Sequence, residues 1–281
     1  MVTTVGDIFS IIDTISPFRL AEDWDNCGLQ AGNLSWQVKK ILVALDVSMA
    51  VMNYAVDSKS ELVITHHPLT IRPPKSIDFA TMPGSAIEIA AKNKISIISA
   101  HTNLDKASGG LNDHFAKILG LKNIRPLIPS SDNSDSFDNP VQNKTSYGNG
   151  LGRVGEVDEV LPLKSFAIDV KKRFKLKTLR VVGNPESLVK QVAICTGSGG
   201  SLLKEFFKSK ADVYVTGDIK YHEARDVEEA GLGLIDVGHF ASEQIAVELI
   251  CKKLEDASTK KGLNLTIEGF YLDSDPFVTL Y

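Results

Sequence analysis

An eight-residue pattern occurs twice in this chain and limits the folds open to it. Ser58-Lys59-Ser60-Glu61-Leu62-Val63-Ile64-Thr65 lies over Ser209-Lys210-Ala211-Asp212-Val213-Tyr214-Val215-Thr216, each residue 151 positions before its counterpart. A second pair, His101-Thr102-Asn103-Leu104-Asp105 over His239-Phe240-Ala241-Ser242-Glu243, runs at an interval of 138. The difference between 151 and 138 is extra loop in the first copy, where Pro73 and Pro74 interrupt any regular element. Because the order of the matches recurs along with their residues, they mark an internal duplication whose copies are each one supersecondary unit.

That unit is built from strands and helices in alternation. Leu62–Thr65 is too short for a helix and reads as a buried strand, as do Lys40–Asp46, Ile95–Ser99, Gln191–Cys195, Val213–Val215 and Leu234–Val237. Apolar residues at helical spacing predict helices from Val5 to a stop near Pro17 and over Met49–Ser58, Ser85–Asn93 and Gly110–Leu119, the last carrying His114. In the second copy they predict Leu163–Phe174, Ser201–Lys208, Tyr221–Ala230 and Ala241–Leu254. Strands alternating with helices pair in parallel through right-handed crossovers. The predicted fold is α/β, with two related βα-repeat halves facing each other across a central metal-binding cleft. The first half covers 1–129 and the second 150–281, with further short strands at Gly152–Val157, Thr178–Val182 and Leu265–Ile267. Between them, 130–149 is rich in Ser, Asp and Asn without apolar periodicity and reads as a flexible linker.

The strand ends carry the chemistry. Leu62–Thr65 runs into His66-His67-Pro68, and open α/β sheets place their ligands at the carboxyl ends of strands. Imidazole is the commonest protein ligand for transition metals. Adjacent side chains on an extended backbone point apart, so the pair predicts either two ions or one ion and a catalytic base. The two His-x-x-x-acid stretches stand at comparable strand ends. On a helix, residues i and i+4 share a face, which lets imidazole and carboxylate converge on one ion. His66, His67, Asp105, His239 and Glu243 are therefore expected to bind two divalent ions, with a carboxylate able to bridge them. His101 or His222 is expected to handle protons. Thr196-Gly197-Ser198-Gly199-Gly200 follows a strand and opens a helix, so the backbone at Thr196, Gly197, Gly199 and Gly200 is a candidate cradle for an anion such as phosphate. A tight strand-to-helix turn is the plainer reading of the same glycines.

Composition narrows the metal and the partners. Cys27, Cys195 and Cys251 form no Cys-x-x-Cys motif, so ligands must be His and carboxylate, which favours zinc, manganese or iron over copper(I) or an iron-sulfur cluster. The net charge is −4 and the basic residues are scattered, which gives nucleic acid no electrostatic footprint. No apolar run reaches membrane-spanning length and no signal-peptide pattern opens the sequence, so the expected location is cytoplasmic.

Six motifs in order resemble a known family. Trp24-Asp25-Asn26-Cys27-Gly28-Leu29-Gln30 with Gly32, Thr65-His66-His67-Pro68, His101-Thr102-Asn103-Leu104-Asp105, the Thr196–Gly200 loop, Thr216-Gly217-Asp218 with Tyr221-His222-Glu223-Ala224, and Gly238–Glu243 are similar to the Nif-three-like family, also labelled GTP cyclohydrolase type 2. The resemblance implies a two-part α/β fold, a dinuclear metal site and ring-shaped homohexamers. It places the family's ligands on His66, His67, Asp105, His239 and Glu243, with His101 near the metals. Longer relatives carry an inserted domain in mid-chain, where this sequence has only the Ser130–Asn149 segment.

The favoured reading is a metal-dependent hydrolase of a small molecule, a nucleotide or pterin-like compound. The alternative is a metal-binding scaffold or regulatory interaction protein without cyclohydrolase activity. Open coordination would separate a catalytic site from a structural one. A nucleic-acid regulator is the weakest reading, since no basic stripe or stacking motif appears.

Overall fold

The computed structural model describes residues 2–130 and 148–280. Most of the expected linker, 130–149, lies outside the described residues. Helix α1 (Val5–Ile15) is followed by β1 (Gly28–Ala31), β2 (Lys40–Ala44), α2 (Met49–Asp57), β3 (Leu62–Thr65), α3 (Gly84–Asn93), β4 (Ser96–Ser99) and α4 (Thr102–Lys106). Then come α5 (Leu111–Ile118), β5 (Lys122–Pro129), β6 (Gly150–Pro162), α6 (Leu163–Arg173), β7 (Arg180–Val182) and β8 (Leu188–Ser198). The chain ends with α7 (Leu203–Ser209), β9 (Val213–Gly217), α8 (Tyr221–Glu229), β10 (Gly233–Asp236), α9 (His239–Glu243), α10 (Ile245–Lys261) and β11 (Thr266–Gly269).

Two compact units share these elements. One comprises Met1–Leu104 with Ala246–Asp273, the other Asp105–Ile245 with Ser274–Tyr281. They are cut differently from the sequence halves 1–129 and 150–281 because β11 pairs in parallel with β2, Thr266 opposite Lys40, and so joins the first sheet.

In the first unit the sheet order is β1-β4-β3-β2-β11, with β2, β3 and β4 parallel and β1 antiparallel on the edge. β2, β3 and β4 are buried almost throughout, whichever way a side chain alternates; Leu42, Val63 and Ile97 pack with Met52 of α2 and Ala86 of α3. In the second unit the order is β5-β6-β8-β9-β10-β7, with β8, β9 and β10 parallel and the rest antiparallel. There Val192, Val213 and Ile235 pack with Phe115 of α5 and Phe166 of α6.

The α/β class and the duplication both hold. The run α1-β1-β2-α2-β3-α3-β4-α4-α5 is answered, element for element, by α6-β7-β8-α7-β9-α8-β10-α9-α10. The correspondence extends to single hydrogen bonds. Glu61 Oε2 accepts from the backbone N–H of Lys39 at 3.1 Å and Lys40 at 2.8 Å. At the same interval of 151, Asp212 Oδ2 accepts from Lys190 at 2.8 Å and Gln191 at 2.7 Å. Each carboxylate ties the start of one strand to the chain entering the next. Glu61→Ala and Asp212→Ala should each cost about 1.5–3 kcal/mol, the scale of a charged hydrogen bond to backbone, measured as a lower denaturant midpoint.

One register differs from the sequence match. Leu62 sits opposite Ser96 and Val213 opposite Gly233, so β4 and β10 correspond at an interval of 137. A single extra residue, Gly238 at φ 86°, restores 138 at His239; that backbone angle is one only glycine adopts without strain.

Four features depart from expectation. β1 and β5 have no counterpart in the periodicity reading. The expected Thr178–Val182 strand is β7, shorter and antiparallel to β10. The glycine-rich loop leads into a single 3-10 turn, Gly200–Leu202, before α7 begins.

Candidate metal centre

In the first unit, three imidazoles converge. Candidate donor atoms of His66, His67 and His101 lie within 4.8 Å of one another. Adjacent side chains would diverge if the strand continued, but it ends at Thr65, whose hydroxyl donates to the carbonyl of His67 at 2.7 Å and holds a bend. The ring centroids of His66 and His67 are then 5.1 Å apart, and both lie within 5.5 Å of His101. His101, expected to handle protons, thus also stands among the candidate ligands.

Each ring is oriented from behind. His66 Nδ1 faces the Ala100 carbonyl at 2.9 Å, His67 Nδ1 faces Asp46 Oδ1 at 2.7 Å, and His101 Nδ1 faces Asp25 Oδ1 at 2.9 Å. Carbonyl and carboxylate oxygens only accept, so each Nδ1 carries a proton and Nε2 is the nitrogen each ring can offer to a metal. Asp25 is itself held tightly, accepting also from Thr102 N at 3.1 Å, Thr102 Oγ1 at 2.5 Å and Cys27 Sγ at 2.9 Å. Burial alone would raise its pKa, but the bonds from His101, Cys27 and Thr102 outweigh burial and hold the carboxyl well below the usual range. Burial, and then Asp25, pushes the Cys27 thiol up to about 12, which leaves it a hydrogen-bond donor and no nucleophile.

The second unit repeats the arrangement with one ring. His239 opens α9, its Nδ1 2.7 Å from Asp218 Oδ2 and its Nε2 2.8 Å from Glu243 Oε2, one helical turn on. With an acceptor at each nitrogen the ring is an imidazolium; the bond to Glu243, opposed by burial and aided by Asp218, raises its pKa to about 9. A divalent ion must displace that proton, since metals take neutral imidazole. Adding zinc to the metal-free protein at pH 7 in weak buffer should release acid, and the release should fall away as the pH passes about 9.

Asp105 is buried in the same unit and accepts from Thr196 Oγ1 at 3.3 Å. The glycines of the Thr196–Gly200 loop have other side chains against them. A Cβ on Gly197, at φ 65°, would collide with the carboxylate of Glu243 and come within 3.4 Å of His239 Nε2. One on Gly199 would meet Thr216 and Tyr214, and one on Gly200 the carboxylate of Glu223. His222 lies in the first turn of α8 with its ring edge-on to Tyr221, 5.3 Å between centroids.

Residues 3–276 match the family Duf34/NIF3 (NGG1p interacting factor 3). The chain belongs to that family. A Clostridium acetobutylicum relative named GTP cyclohydrolase 1 type 2 homolog is 35% identical over 273 residues, covering 97% of each chain. A Bacillus subtilis relative of the same name is 28% identical over 366 aligned positions, more than this chain's own length, so it holds residues with no counterpart here. Among solved structures, a Bacillus cereus protein related to NIF3 superposes with a TM-score of 0.90 at 27% identity, covering all of both chains. A Staphylococcus aureus protein superposes at 0.89 with 31% identity and the same coverage.

For this Duf34/NIF3 chain the orienting carboxylates are what sequence reading missed. Asp46 follows β2 by two residues and Asp218 follows β9 directly. An acid just past a strand end, in the same repeat as a strand-end histidine, was the available signal. Among the described residues no helix is long and apolar enough to cross a membrane.

Proposed function

We propose that this protein binds two divalent metal ions and uses them to hydrolyse a small molecule, with a nucleotide or pterin-like compound as the first candidate. The reading is carried by one observation: His66, His67, His101 and His239 each turn Nδ1 toward an oxygen acceptor, the support that metal-ligating histidines receive. Nitrogen and carboxylate donors without thiolate suit zinc, manganese or iron. His66, His67, Asp105, His239 and Glu243 are the proposed ligands, with His101 as a further candidate beside His66 and His67, and the name borne by the relatives points to the same broad class. A homohexameric assembly is part of the reading and rests on the resemblance.

A divalent ion in such a site supplies Lewis-acid polarisation and activates water at neutral pH. The chain's own residues do the rest. The acceptors behind the rings fix each tautomer, and the buried carboxylates Asp105 and Glu243 offset cationic charge. Trp24 is 58% exposed although its backbone neighbour Asp25 is pinned, and its ring stands edge-on to His101 at 6.2 Å. An exposed indole beside the donors offers a face to a ring-bearing substrate. Trp24→Ala should leave metal content unchanged and raise KM for such a substrate about tenfold, the low end of a base-stacking contribution.

Elemental analysis of purified protein, followed by GTP turnover for the wild type and Glu243→Gln, tests the whole. Two ions per chain and turnover lost in the variant are expected. Full metal loading with no turnover of any nucleotide would overturn the nucleotide version and leave the scaffold reading standing.

A further inference from the structure

We infer that the glycine-rich end of β8 is a template that sets the carboxylates of Asp105 and Glu243 for metal binding, with Thr196, Asn112 and Ser242 as its positioning residues. This rests on the metal-binding reading above. Two successive residues of the strand end each address a different helix. Thr196 donates its hydroxyl to Asp105 Oδ1 at 3.3 Å, and its backbone N–H donates to Asn112 Oδ1 at 3.1 Å. The other end of the Asn112 amide donates to the Asp105 carbonyl at 3.2 Å. Asn112 is fully buried and so spends both halves of its amide locking α4 and α5 to β8.

Gly197 performs the same task on α9. Its N–H donates to Ser242 Oγ at 2.8 Å, and the Ser242 hydroxyl donates onward to the His239 carbonyl at 2.8 Å. Ser242 is also fully buried. The space where a Gly197 side chain would stand is filled by Glu243. Glycine is required here by close approach as well as by backbone angle, and the approaching group is the carboxylate itself.

An anion cradle fits this loop poorly. Glu243 lies against Gly197 and Glu223 against Gly200, so a phosphate would meet two carboxylates, and like charges in a confined site repel. The α-helix after the loop starts only at Leu203, past a 3-10 turn, so its first N–H groups are set back from the glycines.

Cobalt(II) binding by the full-length protein provides the test, since its visible absorption reports ligand geometry as well as occupancy. Thr196→Val removes the hydroxyl at nearly constant shape, Thr196→Ser restores it, and Ser242→Ala and Asn112→Leu cut the other links. Thr196→Val and Ser242→Ala should each weaken cobalt binding about tenfold or more and alter the absorption band, with Thr196→Ser close to wild type. Thermal midpoints of the metal-free proteins, read alongside, separate positioning from general destabilisation. If the wild type binds cobalt and both variants match it in affinity and spectrum, the template is wrong and the metal reading survives. If the wild type takes up no cobalt, both fall. Saturable binding of inorganic phosphate that is lost in Gly199→Ala would overturn the template in favour of the cradle.

Discussion

Arg153→Ala should destabilise the second unit by about 3–5 kcal/mol, the cost of stranding one member of a buried ion pair. Arg153 and Asp113 are almost wholly inaccessible, and Arg153 Nε bonds Asp113 Oδ1. The guanidinium also donates to the carbonyls of Gly150 at 2.5 Å, Gly152 at 2.8 Å and Ala107 at 3.2 Å. Asp113 Oδ2 accepts from Gly109 N at 2.5 Å. Alanine at 153 would leave a buried carboxylate and three carbonyls without this donor, and would open a cavity where the side chain now lies. Replacing both partners with apolar residues of similar volume is a different change. Arg153→Met with Asp113→Leu removes the charge left behind, and its total cost should fall below that of Arg153→Ala alone. Denaturant unfolding of the two variants beside the wild type measures this. A double variant at least as unstable as Arg153→Ala would show that the pair acts through packing and not through the stranded charge.

The same region shows why some of the fold was legible and some was not. β3 and β9 stood out because short runs, four buried residues in β3 and five in β9, each entered from an acidic residue, leave only the strand reading open. β5 gave no such signal: Lys122-Asn123-Ile124-Arg125-Pro126-Leu127-Ile128-Pro129 contains two prolines, which argue against a strand inside a sheet. It is an edge strand, where a missing N–H can face away from the ladder. β1 is four residues beginning at a glycine, with no run of apolar side chains to mark it. The histidines were readable from their place after strands, but the convergence of His66 and His67 was not, since it depends on the bend that Thr65 holds. Period and composition report which face a residue takes in a regular element, and they say nothing of the first residue beyond it.

Asp46 and Asp218 carry the other large expected effect. Asp46→Ala should weaken divalent-metal binding about 10–100-fold, the usual loss when the partner behind a ligating histidine is removed. Asp46 is half exposed, with 52% of its side-chain surface accessible, so the metal-free protein should keep its unfolding midpoint within a few degrees. At Asp218 the backbone lies at φ 56°, where alanine is strained and asparagine is tolerated. Asp218→Asn therefore keeps the turn and removes the charge. Its effect should sit near tenfold, at the lower end, for two reasons. The amide oxygen still accepts from His239 Nδ1, which preserves the ring's orientation. The lost charge also lowers the raised pKa of His239, because Asp218 is one of the groups that raises it; the proton that competes with the metal is then shed at lower pH. The two variants should differ in pH dependence as well as in size. Asp218→Asn should lose most at high pH, where no proton competes in either protein, and least near neutrality. Calorimetric metal titrations at pH 6.5, 8 and 9.5 would separate these terms, and affinities within twofold of wild type for both variants would remove the orienting role from the two carboxylates.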